Sequence, residues 1–252
     1  MIQGFTDIHQ HLMFDIDDGP DQYEGSSSML SAAARNGIAR VCVTPHAVPG
    51  IIPFDIGLYN EKMDKLRTEC AEPNGVHLYP GAEVYYTVMT RGHLDGKRVP
   101  TLNNTEYVLL ELDPRTTYRA MLGALSDLSY AGYIPVLAHA ERYHCLISVP
   151  RRVKELKKRF EMRIQVNCYT ITRKNGLMVS RFIRRVLNDG LIDAIATDAH
   201  DSNVRLELMQ AAHKIISEQY GDSYADHIAG VHGGFLFPEE AGVDEHDTGD
   251  DG

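Results

Sequence analysis

Strand-like and helix-like segments alternate about seven times along this chain, and no other feature restricts its fold as tightly. Short apolar runs rich in β-branched residues lie near residues 4–8, 39–44, 77–83, 107–112, 134–138, 163–168 and 192–197. Between them the apolar residues fall at helical spacing. Residues 58–71 carry Leu58, Met63, Leu66 and Cys70 near one face, and residues 118–131 carry Met121, Leu122, Leu125 and Leu128 before Gly132. Further helices are expected over 24–36, closed by Gly37; 150–160, opened by Pro150; 177–189, closed by Gly190; and 203–220, closed by Gly221. Glycine suits the left-handed residue that ends a helix, and proline suits a first helical turn. This rhythm predicts an α/β protein with a parallel sheet, closed into a barrel or open and doubly wound.

A length of 252 residues suits one large α/β domain, and no linker divides the chain. Residues 1–238 read as a single domain. Residues 239–252 hold seven acidic residues and no Lys or Arg, and read as a solvated, disordered tail. The formal charge is −10, but without those seven the remaining 28 acidic residues face 25 basic ones. A body with no basic stripe argues against nucleic acid as a partner. Asp7, His9, His11 and Asp15 interrupt any apolar signal region, and no apolar run approaches the ~18 residues of a membrane span. The four cysteines lack CxxC spacing. Without an export signal they stay reduced, so bacterial cytoplasm is the expected compartment. No Gly-rich phosphate loop follows the first strand, where a dinucleotide-binding fold would carry one.

Candidate metal ligands fall where the strands end. His9 and His11 follow the first segment and His46 the second; Glu83 ends the third. Glu111 sits in the fourth, His139 ends the fifth, and Asp198 with His200 ends the seventh. In a parallel barrel all strand C-termini face one rim, so eight N/O donors would meet at one mouth. Side chains at i and i+2 on a strand point the same way, which lets His9 and His11 share a metal; Asp198 and His200 repeat the spacing. A donor set of imidazole and carboxylate without thiolate suits Mn, Fe or Zn. So many unpaired donors are costly in a low-dielectric mouth, and cations resolve that cost. Two or more cations close together point to hydrolysis at phosphorus. Asp17 and Asp18, before Gly19 and Pro20, form a turn after the first strand from which one aspartate can face the cluster. Arg142 and Arg205 follow ligand motifs on the same rim, where a planar fork can bind phosphate oxygens.

His144, Cys145 and Arg151 fit the His-Cys-x5-Arg pattern of cysteine-dependent tyrosine phosphatases. Such a loop cradles phosphate with successive backbone N–H groups, usually at glycines. Here the intervening residues are LISVP, without glycine, and Pro150 has no N–H. Cys145 is therefore read as a small residue before a helix.

The segments DIHQHLMFDIDDGP from Asp7, VTPHAVPG from Val43, GAEVYY from Gly81, LLEL from Leu109, PVLAHAERY from Pro135, QVN from Gln165 and ATDAH from Ala196 resemble the polymerase and histidinol phosphatase (PHP) superfamily. The DDGP, GAEVYY and AHAERY forms are most similar to its CpsB-type branch, the bacterial protein-tyrosine phosphatases of capsule and exopolysaccharide clusters. The likeness runs from Asp7 to roughly Tyr220. It implies a distorted (β/α)7 barrel of the PHP type with a trinuclear site that takes manganese. By resemblance, one metal takes His9, His11, Glu83 and Asp198; the second takes Glu83, Glu111 and His139; the third takes Asp18, His46 and His200. Arg142 and Arg205 match positions that hold the substrate phosphate. The implied reaction is attack on phosphotyrosine phosphorus by a metal-bound hydroxide. The implied partner is a bacterial tyrosine autokinase with a Tyr-rich tail that controls polysaccharide export. Histidinol phosphate, or another small phosphate ester, is the alternative substrate within the superfamily. The chain departs from the pattern after His46, where AVPGIIPFDIG is apolar and Pro-rich in place of a more polar loop, and again beyond about residue 230.

Overall fold

The computed structural model of the chain describes residues 2–203 and 205–237. In chain order the elements are β1 (Phe5–Gln10), α1 (Tyr23–Arg35), β2 (Ile38–Val43), β3 (His46–Ala47), α2 (Ile56–Leu66), β4 (His77–Pro80), β5 (Glu83–Tyr85), α3 (Thr90–Asp95), β6 (Tyr107–Glu111), α4 (Tyr118–Tyr130), β7 (Ile134–Leu137), α5 (His144–Ile147), α6 (Arg151–Arg159), β8 (Arg163–Asn167), α7 (Cys168–Thr172), α8 (Leu177–Asn188), β9 (Ala194–Ala196), α9 (Leu208–Tyr220) and α10 (Asp222–Ile228). The expected acidic segment, 239–252, lies outside the described residues.

Among the described residues every strand pairing is parallel. The orders are β1-β2-β4 and β3-β5-β6-β7-β8-β9. The two sheets are one surface bent twice. Thr44 and Pro45 separate β2 from β3, and Gly81 and Ala82 separate β4 from β5. The hydrogen bonds Thr44 N–H to Gln10 O and Glu83 N–H to Pro45 O carry the pairing across the bends. Glycine is needed at 81 because a Cβ there would sit 2.9 Å from Thr44 Cγ2 and 3.1 Å from Leu102 Cδ2. Counting each bent strand once gives seven. The ring comes round through a bridge between Gln10 and Ala199, with His11 N–H donating to Ala199 O and Asp198 N–H to His9 O. This is the distorted (β/α)7 arrangement, a curled parallel sheet with its helices outside.

The strands are buried on both faces, as in parallel sheets covered by helices; all six residues of β1 are buried. α4 turns Met121, Ala124, Leu125 and Leu128 inward, and α8 turns Phe182, Ile183, Val186 and Leu187. α2 starts at an Asp55 cap that accepts from Leu58 N–H, and a π turn over Arg67–Ala71 completes the expected 58–71 segment. Four helices were not expected from periodicity: α3, α5, α7 and α10, each of four to seven residues and too short to show a face. The helix expected from 203 begins at Leu208. At the N-terminal end of the barrel, Phe235 lies on Tyr107 and Phe237 on Tyr79, with ring centroids 4.8 and 4.5 Å apart, while Leu236 joins a cluster with Ile8 and Leu109. That end is plugged with apolar groups, and the polar strand ends lie at the other.

Candidate metal centre

All the expected ligands meet at the C-terminal mouth. β1 supplies His9, and His11 follows it; β3 begins with His46, β5 with Glu83, and β6 ends with Glu111. His46 and Glu83 are directly paired in register. His139 and Asp198 lie just past β7 and β9 in the left-handed region, with φ of 33° and 52°. Neither is glycine, so the surrounding structure holds both backbones in an uncommon conformation that aims the side chains inward.

Glu83 is the hub. Its Oε2 lies 3.2 Å from His9 Nε2, 3.3 Å from His11 Nε2 and 3.1 Å from His46 Nδ1, and its Oε1 lies 2.8 Å from His139 Nε2. Glu111 Oε1 approaches His139 Nε2 at 3.5 Å. Asp18, largely exposed, sets its Oδ1 3.5 Å from His46 Nε2 and 3.3 Å from His200 Nε2. The donors form three groups: His9, His11 and Glu83; His46, Glu83 and Glu111; and His11, Asp18, His46 and His200. The expected partition differs in three details: Asp198 stands outside the group of His9, His11 and Glu83. His46 stands with Glu83 and Glu111, where the resemblance implied His139, and His11 joins Asp18, His46 and His200.

The second ring nitrogens explain why the donors are free to bind. His9 Nδ1 is 3.2 Å from Gln165 Oε1, and His11 Nδ1 is 2.6 Å from Asp17 Oδ2. Both acceptors require N–H at Nδ1, which makes Nε2 of each ring the atom that faces a metal. Those atoms lie 3.3 Å apart. Glu83 Oε2 stands beside both, and Asp198 Oδ1 lies 3.5 and 3.6 Å from them. Two ring nitrogens and two carboxylate oxygens thus converge in a buried pocket, an arrangement that calls for a positive charge among them. His200 follows the same scheme, its Nδ1–H donating to Asp198 O at 2.9 Å and leaving Nε2 toward Asp18. A divalent cation fits this donor chemistry, and a hydrogen bond to the far nitrogen is the usual support of a metal-binding imidazole.

Electrostatics point the same way. Burial opposes charge on Glu83, but the four surrounding rings override it and hold the carboxyl well below its usual range. Burial likewise opposes a charged His11, yet Asp17, Asp198 and Glu83 raise it well above the ordinary imidazole value. His139 is raised to about 9 against burial by Glu111 and Glu83. Either protons on the rings or cations between them must supply the charge that these carboxylates demand.

Both expected arginines flank Asp198. Arg142 Nη2 lies 2.8 Å and Arg205 Nη1 2.9 Å from Asp198 Oδ2, and each guanidinium is partly open to solvent at the rim. Cys145 sits inside α5, and Arg151 begins α6 and pairs with Glu155, so the His-Cys-x5-Arg residues form no phosphate cradle. Burial raises the Cys145 thiol above its ordinary value, opposite to the depression a nucleophile needs.

Sequence reasoning did not assign the orienting roles of Asp17, Gln165 and Asn167. Asp17 carries His11 and also accepts from His46 N–H. Gln165 accepts from His139 N–H and donates to Asn167 Oδ1, and Asn167 donates to Asp198 Oδ2. β8 is the strand without a ligand; it contributes amides that aim ligands instead. Gln165 and Asn167 stand at i and i+2, the same spacing that singled out His9 and His11. Glu141, fully buried, accepts from Asn167 N–H and Thr170 Oγ and fixes the end of β8.

Comparison with known proteins agrees with this geometry. Residues 5–233 match the family described as capsular polysaccharide synthesis, CpsB/CapC. The tyrosine-protein phosphatase CpsB of Streptococcus pneumoniae is 32% identical over 234 residues, 88% of this chain and 93% of that protein. The tyrosine-protein phosphatase YwqE of Bacillus subtilis strain 168 is 28% identical over 216 residues, 85% of each. A solved structure from work on YwqE and the pneumococcal CpsB, described as metal-dependent tyrosine phosphatases, superimposes with a TM-score of 0.80 at 27% identity, over 88% of this chain and 90% of that one. A TatD family hydrolase from Entamoeba histolytica, 10% identical with a TM-score of 0.57 over 92% of this chain and 97% of that one, shares the fold alone. The chain belongs to the CpsB/CapC family of capsular polysaccharide synthesis, and with it to the metal-dependent phosphoric monoester hydrolases.

Proposed function

We propose that the chain is a protein-tyrosine phosphatase that uses two or three divalent cations, manganese first with iron and zinc as alternatives. The convergence of the His9 and His11 Nε2 atoms with Glu83 and Asp198 carries this reading. His9, His11, Glu83 and Asp198 would hold one cation. Glu83 and Glu111 would hold a second with His139 and His46 beside them, and Asp18, His46 and His200 a third. Bound cations would supply Lewis acidity and a nucleophile competent at neutral pH. Asp17 and Gln165 accept from Nδ1–H of His11 and His9 and so turn the two Nε2 atoms toward the mouth. Arg142 and Arg205, poised on Asp198 at the rim, bind phosphate oxygens and counter the charge that builds on them during transfer.

The phosphoprotein we propose is a bacterial tyrosine autokinase with a Tyr-rich tail that regulates capsular or exopolysaccharide synthesis, met in the cytoplasm. The capsule-synthesis family and the names of its relatives support this. Among the described residues no helix is long and apolar enough to cross a membrane, and all four cysteines are free thiols. The test is hydrolysis by the purified protein of a phosphotyrosine peptide, a phosphoserine peptide and histidinol phosphate, before and after EDTA and with manganese restored. Phosphotyrosine turnover lost with EDTA and regained with manganese is expected. Full turnover after metal stripping, or preference for histidinol phosphate, would overturn the reading.

A further inference from the structure

Large apolar side chains exposed together beside a polar mouth are informative, because lone exposed apolar residues are ordinary but clusters mark contact surfaces. Ile51, Ile52, Val88 and Met89 are 70, 60, 90 and 50% exposed. Ile51 lies five residues beyond His46 and Val88 five beyond Glu83, and those two ligands are register partners on neighbouring strands. The loops therefore leave the metal-centre mouth side by side. They touch: Thr87 Oγ donates to Pro49 O at 2.7 Å, and a Cβ on Gly50 would meet Met89 Cγ at 2.7 Å. They are also shaped by their own backbones, with Ile51 and Ile52 N–H donating to Val48 O and Met89 N–H to Thr87 Oγ. This shelf is where the sequence departs from a polar loop after His46.

Resting on the phosphotyrosine reading above, we infer that this shelf docks aliphatic side chains flanking the phosphotyrosine of the protein substrate, making Ile51, Ile52, Val88 and Met89 determinants of sequence preference. Continuity with the mouth identifies the occupant. Five residues span at most ~17 Å of extended chain, so a peptide with its phosphate among the ligands passes over the shelf within a few positions. Charge narrows the flank. The four shelf side chains carry none, so aliphatic groups lose water on them while carboxylates gain no partner there.

The experiment compares kcat and KM of the full manganese-loaded chain with those of Ile52→Asp, Val88→Asp and the double variant. The substrates are free phosphotyrosine, a phosphotyrosine peptide flanked by Ile and Val, and one flanked by Ser and Asp. The wild type is expected to prefer the aliphatic peptide. The double variant should raise KM for that peptide on the order of tenfold, about the effect of one buried aliphatic side chain, with kcat unchanged. Turnover of free phosphotyrosine should match the wild type, which also reports that the variants are folded and metal-loaded. Equal KM for both peptides in the wild type, or a variant KM shift shared by free phosphotyrosine, overturns the inference. So does light scattering showing a wild-type oligomer that the variants dissolve, or wild-type binding to phospholipid vesicles that they abolish. No hydrolysis of any phosphotyrosine compound by the loaded wild type refutes the phosphatase reading itself, a separate outcome.

Discussion

Replacing Glu83 with Gln keeps the shape of the hub and removes its charge. In the native arrangement four imidazole nitrogens lie 2.8–3.3 Å from its two oxygens, and the carboxylate is almost wholly buried. Glu83 belongs to two of the three donor groups, whereas His200 belongs to one. Removing one partner of a buried charge pair costs about 3–5 kcal/mol. At tenfold per 1.4 kcal/mol, that weakens cation binding by roughly 10² to 4 × 10³ at each group Glu83 serves. The assay is equilibrium dialysis against a manganese series, metal content read by plasma mass spectrometry, and turnover measured on the same samples. Glu83→Gln is expected to lose metal from two positions and nearly all activity; His200→Ala should lose metal from one. The reasoning fails if Glu83→Gln holds as much manganese as the wild type across the series, or if His200→Ala loses as much as Glu83→Gln.

Arg142→Lys and Arg205→Lys should each lower kcat/KM about ten- to hundredfold, the range of a lost charged hydrogen bond, with metal content intact; loss of metal would show that they serve Asp198 instead. Cys145→Ser should retain activity and His139→Ala should not, and iodoacetamide should modify Cys145 slowly at pH 7, because burial keeps its thiol protonated; rapid alkylation with loss of turnover would contradict this. The metal-stripped protein should melt at a lower temperature at pH 9.5 than at pH 6. His139 rises from 6.5 to about 9 on folding, so its contribution, on the order of 3 kcal/mol or less, is complete below about 6.5 and is lost as pH rises through about 9. A melting temperature that is flat or rising over that interval, by calorimetry on EDTA-treated protein, would remove the His139 pairing from the account.

The sequence by itself determined the seven-fold alternation, and with it the parallel sheet. Strand and helix periods are local, set by whether side chains repeat every two or every 3.6 residues, and segments such as 107–112 and 118–131 are long enough to show them. It also placed His9, His46, Glu83, His139 and Asp198 at one rim, because parallel strands put all their ends on the same side. Four kinds of feature lay beyond it. The bends at Thr44–Pro45 and Gly81–Ala82 depend on what packs across them, here Thr44 and Leu102 against Gly81. The left-handed backbones of His139 and Asp198 are imposed by their neighbours against local preference. The roles of Asp17, Gln165 and Asn167 are hydrogen bonds between segments as distant as β1 and β8, which no local pattern encodes. Pairing His46 with Glu83 set their two following loops side by side, and so gathered Ile51, Ile52, Val88 and Met89 into one surface. Periodicity fixes which way a residue points from its own element; which distant residue it meets is decided only when the sheet curls and closes.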